Sequence, residues 1–265
     1  MILRQFLHTD PVVAASYLFG CGGKASGAVV DPVAHPDVYL RAAEETGLRI
    51  RYVVDTHVHA DHESTGRALA HAAAAAYVLH ADTGARSSFH GVRDGDQLEM
   101  GNVVAEVWHV PGHTPEHIAL VVTDRSRTPE PWLAFTGHTL MVGDMGRTEL
   151  ASSAEHGAET LFDSASRLRR LADHVVVLPG AFSGSVCGRG LSGVPLSTIG
   201  FERVHNRSFA ITDRQAFIDH MLREIPPRPD RAAEIRARNM GDSTSTASDL
   251  AAAATQAIGE APATP

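Results

Sequence analysis

The stretch THVHADH, residues 56–62, places three histidines and an aspartate close together, directly after a β-rich run. Side chains alternate between the two faces of an extended segment, so His57 and His59 share one face. A turn after them would bring Asp61 and His62 towards the same pocket. Neutral imidazoles and a carboxylate are ligands of zinc, iron and manganese. The stretch therefore predicts a metal site rather than a polar loop.

The composition of the whole chain is that of a globular protein and excludes several kinds of partner. The chain has 265 residues, of which 43% are hydrophobic, and a formal charge of −8. This charge argues against binding to nucleic acid or to an anionic membrane, and no apolar run approaches the roughly 20 residues of a membrane span. Two cysteines, Cys21 and Cys187, form no CxxC pair and no disulfide framework, which predicts a reducing, cytoplasmic location.

Patterns along the chain mix strands with amphipathic helices. The periodicity and turn signals predict strands at 15–20, 27–32, 50–56, 102–110, 117–123, 132–137 and 174–180, and helices at 36–47, 63–76, 156–172 and 213–224. This mixture predicts an α/β (α+β) fold in which helices cover sheets. We expect one domain over 1–241, including its C-terminal helices. Residues 242–265 contain few large apolar side chains, which predicts a disordered tail.

The order of the histidine motifs resembles that of the metallo-β-lactamase superfamily. HxHxDH is followed by VPGHTPEH at 110–117, where this family keeps its next metal motif. The resemblance implies an αββα four-layer sandwich with the metal site at one edge. GRTEL at 146–150 and the stretch at 178–206 look most like the persulfide dioxygenase branch, which oxidises glutathione persulfide at a single non-haem iron. Glyoxalase II, a zinc or iron thioester hydrolase, is a nearby branch.

The resemblance also implies a ligand set, from which this sequence departs twice. The family motifs place metal ligands at His57, at His113 and at the position of His138, with His59 close enough to be a fourth. The family has an aspartate ligand where this chain has His138, and a last histidine ligand where it has Ala181. Both losses affect the second metal position. We therefore expect one divalent ion, Fe(II) or Zn(II).

Alternatives stay open for the other candidate residues. Asp61 and His62 are candidates for metal binding, and Asp61 also for a general base towards a metal-bound water. Asp144 could turn inward and supply the missing carboxylate. Arg147 matches an arginine that contacts the tripeptide thiol in the dioxygenase branch, but it could equally be a structural arginine on loop carbonyls. Asp55 could orient a ligand imidazole by a hydrogen bond without binding the metal itself.

Three functions fit these residues. The first is an iron-dependent dioxygenase of a small persulfide. The second is a zinc hydrolase of thioesters or related esters, in which a metal-bound hydroxide attacks the carbonyl. The third is a non-catalytic member, suggested by the lost ligands. The expected partner is a small-molecule thiol or thioester, and a homodimer is the default expectation. Cys187 is expected to be buried and inert.

Overall fold

The computed structural model describes residues 1–223, 225–227 and 229–241, so the tail predicted at 242–265 lies outside the described residues. The strands are β1 (Ile2–His8), β2 (Ala14–Cys21), β3 (Ser26–Val30), β4 (Arg49–Val54), β5 (Ala76–His80), β6 (His90–Val92), β7 (Gln97–Met100), β8 (Val103–His109), β9 (Ile118–Asp124), β10 (Leu133–Gly137), β11 (Val176–Pro179) and β12 (Ser197–Thr198). The helices are α1 (Pro36–Thr46), α2 (Gly66–Ala72), α3 (Ala154–Leu168), α4 (Ile199–His205), α5 (Arg214–Arg223) and α6 (Ala232–Asn239). Among the described helices, none has the length and apolar character that crossing a bilayer requires.

The strands form two six-stranded sheets. The first has the order β1-β2-β3-β4-β5-β6 and the second the order β12-β11-β10-β9-β8-β7. Strands β3 to β6 pair in parallel, as do β10 and β11, whereas the other pairs are antiparallel. Parallel neighbours direct their carboxyl ends to the same edge, which is where loops can assemble a site.

Three apolar layers hold the sheets and helices together. Between the sheets, the Phe19 and Phe135 rings lie 4.6 Å apart, centroid to centroid. A second cluster joins the second sheet to α3 and α5 through Leu161 and Phe217. A third joins the first sheet to α1 and α2 through residues such as Tyr39. The layer order is therefore helix, sheet, sheet, helix, which confirms the predicted αββα sandwich.

The alanine-rich stretch at 63–76 departs from its prediction as one long helix. Helix α2 covers only its middle, and Ala74 adopts a positive φ of 50° that ends the helical turn. Ala76 then opens β5, which pairs in parallel with β4. Alanine favours helices by propensity, but the buried pairing of Val78 with Val54 at the centre of a sheet outweighs that preference.

The loops that carry the histidine motifs meet at one edge of the sandwich. The amide of Ile118 donates to the carbonyl of Thr56 over 2.8 Å, which links the start of β9 to the loop after β4. The amide of Gly180 donates to the carbonyl of Gly137 over 2.8 Å, which links the ends of β10 and β11. Both sheets therefore contribute loops to a common edge.

Candidate metal centre

Three histidines from three loops converge at this edge. One ring nitrogen of each of His57, His113 and His138 lies within 4.8 Å of the others, and all three residues are buried. The Nδ1 atom of His138 is 3.3 Å from Nε2 of His113. The centroid of the His57 ring lies 4.9 Å from that of His113 and 4.8 Å from that of His138. The ring of His138 therefore faces the other two rings.

Hydrogen bonds fix which nitrogen of these rings is free to bind a metal. Nδ1 of His113 is 2.7 Å from the carbonyl oxygen of Arg147, so this nitrogen donates and Nε2 keeps its lone pair. Nδ1 of His57 is 3.0 Å from the Thr56 hydroxyl, and Nε2 of His57 is buried without a hydrogen-bond partner. A buried polar atom without a partner costs free energy. Nε2 of His57 therefore fits a divalent zinc or iron ion in place of the missing partner, and Nε2 of His113, 3.3 Å from Nδ1 of His138, has the lone pair that such an ion needs.

Asp31, which no sequence motif indicated, sets the tautomers of His57 and His59 through hydrogen bonds on the far side of these rings. Its carboxylate accepts from the Thr56 amide over 2.7 Å and from the Thr56 hydroxyl over 2.9 Å. Since that hydroxyl donates to Asp31, it accepts from Nδ1 of His57. The Asp31 carboxylate also lies 3.3 Å from Nε2 of His59, which leaves Nδ1 of His59 free. Asp31 has a positive φ of 47°, a strained conformation of the kind concentrated at functional sites.

The three converging histidines are neutral at pH 7. Burial lowers the pKa of His57 well below its ordinary value. Burial and the neighbouring His138 lower the pKa of His113 to about 3. Burial also lowers the pKa of His138 to about 4, although the Asp61 carboxylate acts in the opposite direction. Neutral imidazoles are the form that binds metals, so no proton has to leave these three rings first.

These shifts predict that the metal-free protein loses stability as the pH falls from about 6.5 towards 5. The unfolded chain protonates His113 and His138 near 6.5, whereas the folded chain protonates them only near 3 and 4. The stability is therefore present above the unfolded pKa and declines below it, by about 1.4 kcal/mol per pH unit for each such histidine. Urea unfolding of metal-free protein at several pH values measures the slope. His138→Gln should reduce it, and a flat profile would contradict the shifts.

A second group of ligand atoms lies beside the first. It contains His59, Asp61 and His62, with their ligand atoms within 4.8 Å of one another. Nδ1 of His62 is 2.9 Å from Oδ1 of Asp61, and Oδ2 of Asp61 and Nε2 of His62 are buried without a partner. The His59 ring lies 4.2 Å from that of His57, so His59 stands between the groups. Burial opposes a charge on His59, but the hydrogen bond and charge of Asp31 raise the pKa of His59 to about 9.

Asp55 anchors the start of the loop rather than a ring of the first group. Its Oδ2 atom accepts from the hydroxyl of Ser64 over 2.6 Å and from that of Tyr77 over 2.7 Å. It also belongs to a buried group of ligand atoms with Asp31 and His59. Burial raises the pKa of Asp55 above its ordinary value. Asp55 thus ties the loop to the first sheet and to the chain that leads into α2.

Helix α6 holds the backbone of the HxHxDH loop, a contact that the sequence did not suggest. The Asn239 side chain donates to the carbonyls of His59 and His62 over 2.9 and 2.8 Å, and it accepts from the amide of Ser64 over 3.0 Å. Arg236 donates to the carbonyl of Val58 over 2.9 Å. We call Arg236 and Asn239 the C-terminal clamp.

Glu116, on the loop that carries His113, is the ion-pair partner of Arg236 in the C-terminal clamp. Its carboxylate accepts from the amide of Val58 over 3.0 Å and from Arg236 over 3.0 and 3.2 Å. The side chain of Glu116 is 3% exposed and that of Arg236 is 18% exposed. Both backbone polar groups of Val58, the residue between two candidate ligands, are therefore held by one ion pair.

Asp144 does not turn towards the histidines, contrary to the expectation that it could replace the missing carboxylate. It accepts from the Ser208 hydroxyl over 2.5 Å, from the Met145 amide over 2.8 Å and from Arg189 over 3.2 Å. Within the described residues, no group of clustered ligand atoms includes Asp144. This carboxylate instead joins the loop after β10 to the segment between α4 and α5.

The contacts of Arg147 favour a structural role over contact with a substrate. Its guanidinium donates to the carbonyls of Pro226, Pro227 and Val186 over 2.7, 3.1 and 3.1 Å, and it pairs with Glu149. The side chain is 1% exposed. All three guanidinium nitrogens thus donate to atoms of the protein itself. They are therefore not directed at a substrate carboxylate.

The loop after β11 brings a third group together. Ala181 is buried and offers no ligand atom. Cys187, six residues later, is a buried free thiol whose sulfur lies within 4.8 Å of ligand atoms of Asp61 and His138. Burial, and then the Asp61 carboxylate, raise the pKa of the Cys187 thiol well above its ordinary value. The expectation of an inert packed cysteine did not anticipate this neighbourhood.

A cavity lies beside the second group of ligand atoms. It has a volume of about 440 Å³ and reaches Ala60 and Asp61. Its remaining walls come from three segments around the edge, namely Thr9, Pro11, Val12, Val13, Gly184, Ser185, Val186, Pro229, Asp230, Arg231, Ala232 and Ile235. Of the candidate ligand residues, Asp61 is the one that lines this cavity.

Two helix-flanked sheets with a buried histidine and carboxylate centre at one edge define the class of αββα metalloproteins. The model of the metallo-β-lactamase superfamily matches residues 9–180, and the chain belongs to this superfamily. The resemblance seen in the motifs is thereby confirmed.

Named relatives include enzymes of the two expected branches. The mitochondrial persulfide dioxygenase ETHE1 of Bos taurus is 30% identical over 237 residues, covering 87% of this chain and 84% of that protein. The hydroxyacylglutathione hydrolase of Acaryochloris marina is 34% identical over 173 residues, covering 63% and 64%. The crystal structure of ETHE1 from Myxococcus xanthus superposes with a TM-score of 0.77 at 31% identity, covering 91% of this chain and 99% of that one.

Proposed function

We propose that this chain is a mononuclear metalloenzyme that oxidises a small persulfide with molecular oxygen. The observation that carries this proposal is the convergence of His57, His113 and His138 as three buried, neutral imidazoles, with Nε2 of His57 lacking a hydrogen-bond partner. Similarity to a persulfide dioxygenase over 87% of the chain, against 63% for the hydrolase, supports the choice of reaction. Iron(II) held there would supply the redox centre for oxygen and sulfur.

The residues of the chain favour an anionic sulfur substrate. His57, His113 and His138 add no negative charge, so a divalent ion that they hold keeps more of its charge than it would with a carboxylate as third ligand. A persulfide is an anion and is attracted to such a centre. The surrounding burial strengthens this attraction, because charges interact more strongly away from water. The cavity lined by Asp61, about 440 Å³, is large enough to hold a small molecule beside this centre.

One tightly held ion is expected rather than two. Ala181 offers no ligand, and His138 stands where the family has a bridging carboxylate. A neutral imidazole has one free lone pair and binds one ion, while a carboxylate has two oxygens. Metal analysis of the purified protein should give about one equivalent of Fe(II) or Zn(II) per chain. Two tightly held equivalents would contradict this expectation.

A zinc-dependent thioester hydrolase is the second candidate, favoured by one observation. Asp61 lines the cavity, and its Oδ2 atom is buried without a partner beside the histidines. A carboxylate in that position can accept a proton from an attacking water, and three histidines are a suitable set for hydrolytic zinc. The small thiol or thioester partner belongs to both proposals. A homodimer and a cytoplasmic location stay predictions.

The decisive experiment compares two reactions on protein reconstituted with either metal. We expect the iron form to consume oxygen with glutathione persulfide, and His113→Ala to abolish this uptake. If the zinc form instead releases thiol from a hydroxyacylglutathione, the hydrolase is the correct assignment. Metal-loaded protein that catalyses neither reaction would contradict both proposals and favour the non-catalytic alternative.

A further inference from the structure

The cavity beside the candidate metal centre has walls with large apolar side chains. Val12 and Val13 come from the loop after β1, Val186 from the loop after β11, and Ile235 from α6. Val186 is 47% exposed, so this apolar side chain is open to contact with a bound molecule. Covering such surface is favourable, because it removes apolar area from water. The walls therefore suit a molecule that brings apolar surface of its own.

The charged groups of these walls are mostly acidic. Among the described residues that line the cavity, Asp61 and Asp230 carry carboxylates and Arg231 carries the positive charge. The Arg231 guanidinium is already paired with Glu234, to which Nε and Nη2 each donate over 3.2 Å. A ligand carboxylate would meet like charge here and would lose water against the apolar walls, and both effects cost free energy.

Arg147 does not compensate for this negative charge. Its side chain is 1% exposed, and its guanidinium donates to the carbonyls of Val186, Pro226 and Pro227. Val186 lines the cavity, and Pro227 lies two residues before Pro229, which also lines it. Arg147 therefore holds two wall segments in place, and its donors are used for that purpose instead of for a ligand.

We propose that this cavity binds the carrier portion of the thiol substrate and selects carriers without free carboxylates. The centre holds the reacting sulfur, whereas the cavity of about 440 Å³ beside it holds the carrier. Amide, ester, hydroxyl and ammonium groups are accepted, because none of them adds negative charge beside Asp61 and Asp230. Glutathione, with two carboxylates, is a poor carrier. The reaction of this substrate rests on the proposed function, but the preference for a carrier is measured by binding alone.

Calorimetric titration of the zinc-loaded, full-length chain tests this selection. The two probes are glutathione and its diamide, which has nearly the same shape but an amide in place of each carboxylate. We expect the diamide to bind about 10-fold more tightly, because two charges that oppose binding are removed. Equal affinities, tighter binding of glutathione, or binding of neither probe would overturn the proposal.

Asp230→Lys locates the selection in this cavity, because it reverses an exposed wall charge and leaves every candidate metal ligand in place. It should reduce the preference for the diamide by about 3-fold or more. Asp219→Lys is the matched control, since Asp219 is an exposed carboxylate on α5 that does not line the cavity. This control changes the net charge of the chain by the same amount and should keep the preference of the parent. If the two variants show the same preference, the selection does not arise at this wall and the proposal is wrong.

Oxygen uptake by the iron form distinguishes this inference from the proposed function. The persulfide of the diamide should have a lower KM than glutathione persulfide at a similar kcat, because the carrier charge affects the bound substrate and the transition state alike. If neither persulfide supports uptake while the diamide still binds more tightly, the proposed reaction is wrong and the carrier selection stands. If uptake occurs and glutathione persulfide has the lower KM, the carrier selection is wrong and the proposed reaction stands.

Discussion

His138→Ala is expected to weaken metal binding by about 10-fold or more, while His138→Asp keeps the metal and shifts preference from zinc to iron. His138 is one of three buried rings whose nitrogens converge, and its Nδ1 atom lies 3.3 Å from Nε2 of His113. Loss of outer hydrogen-bond partners alone commonly costs 10- to 100-fold in metal affinity, so loss of a direct ligand costs at least as much. Aspartate would restore the set of two histidines and one carboxylate associated with non-haem iron.

Competition with a chromophoric chelator measures these affinities for Fe(II) and Zn(II). His109→Ala is a suitable control, because His109 stacks on His80 and lies in none of the described ligand groups. If His138→Ala binds metal as tightly as the parent, the ligand role is wrong. Asp144 would then not explain the binding, since its carboxylate is held by Ser208 and Arg189.

Local sequence patterns predicted those parts of the fold that local energetics decide. Helix α1 begins at Pro36 and ends before Gly47, which has the left-handed φ of 66° that a glycine cap provides. The helix predicted at 213–224 forms as α5 (Arg214–Arg223), and the Asp213 side chain accepts from the Ala216 amide at its start. The prediction of one helix over 63–76 was wrong, because burial in a parallel sheet, not helix propensity, decides where α2 ends and β5 begins.

The candidate site divides in the same way. HxHxDH is a local motif, so the sequence alone predicts that its histidines lie together in the candidate metal centre. Asp31, Asn239 and Cys187 come from distant parts of the chain, and they meet the loop only once both sheets and α6 are assembled. No spacing rule connects residues that far apart. Their roles depend on tertiary contacts, which is why the sequence alone treated Cys187 as a packed residue.

Arg236→Met is expected to destabilise the protein by about 3 kcal/mol and to weaken metal binding by about 10-fold. The substitution leaves the Glu116 carboxylate, 3% exposed, without its ion-pair partner. It also frees the carbonyl of Val58, which lies between His57 and His59, from its hydrogen bond to Arg236. Two separate consequences are therefore combined in one variant: an uncompensated buried charge and a loosened ligand loop.

The double variant Glu116→Gln with Arg236→Met separates these consequences. Glutamine removes the buried charge and can still accept from the Val58 amide, so most of the lost stability should return. Metal affinity should stay low, because the Val58 carbonyl still lacks its hydrogen bond from Arg236. Arg238→Ala is the matched control on α6, since Arg238 forms exposed ion pairs with Glu63 and Glu234 that contribute little. If metal affinity recovers together with stability in the double variant, Arg236 supports only the fold. If it does not recover, the C-terminal clamp positions the metal loop, and α6 belongs to the functional centre.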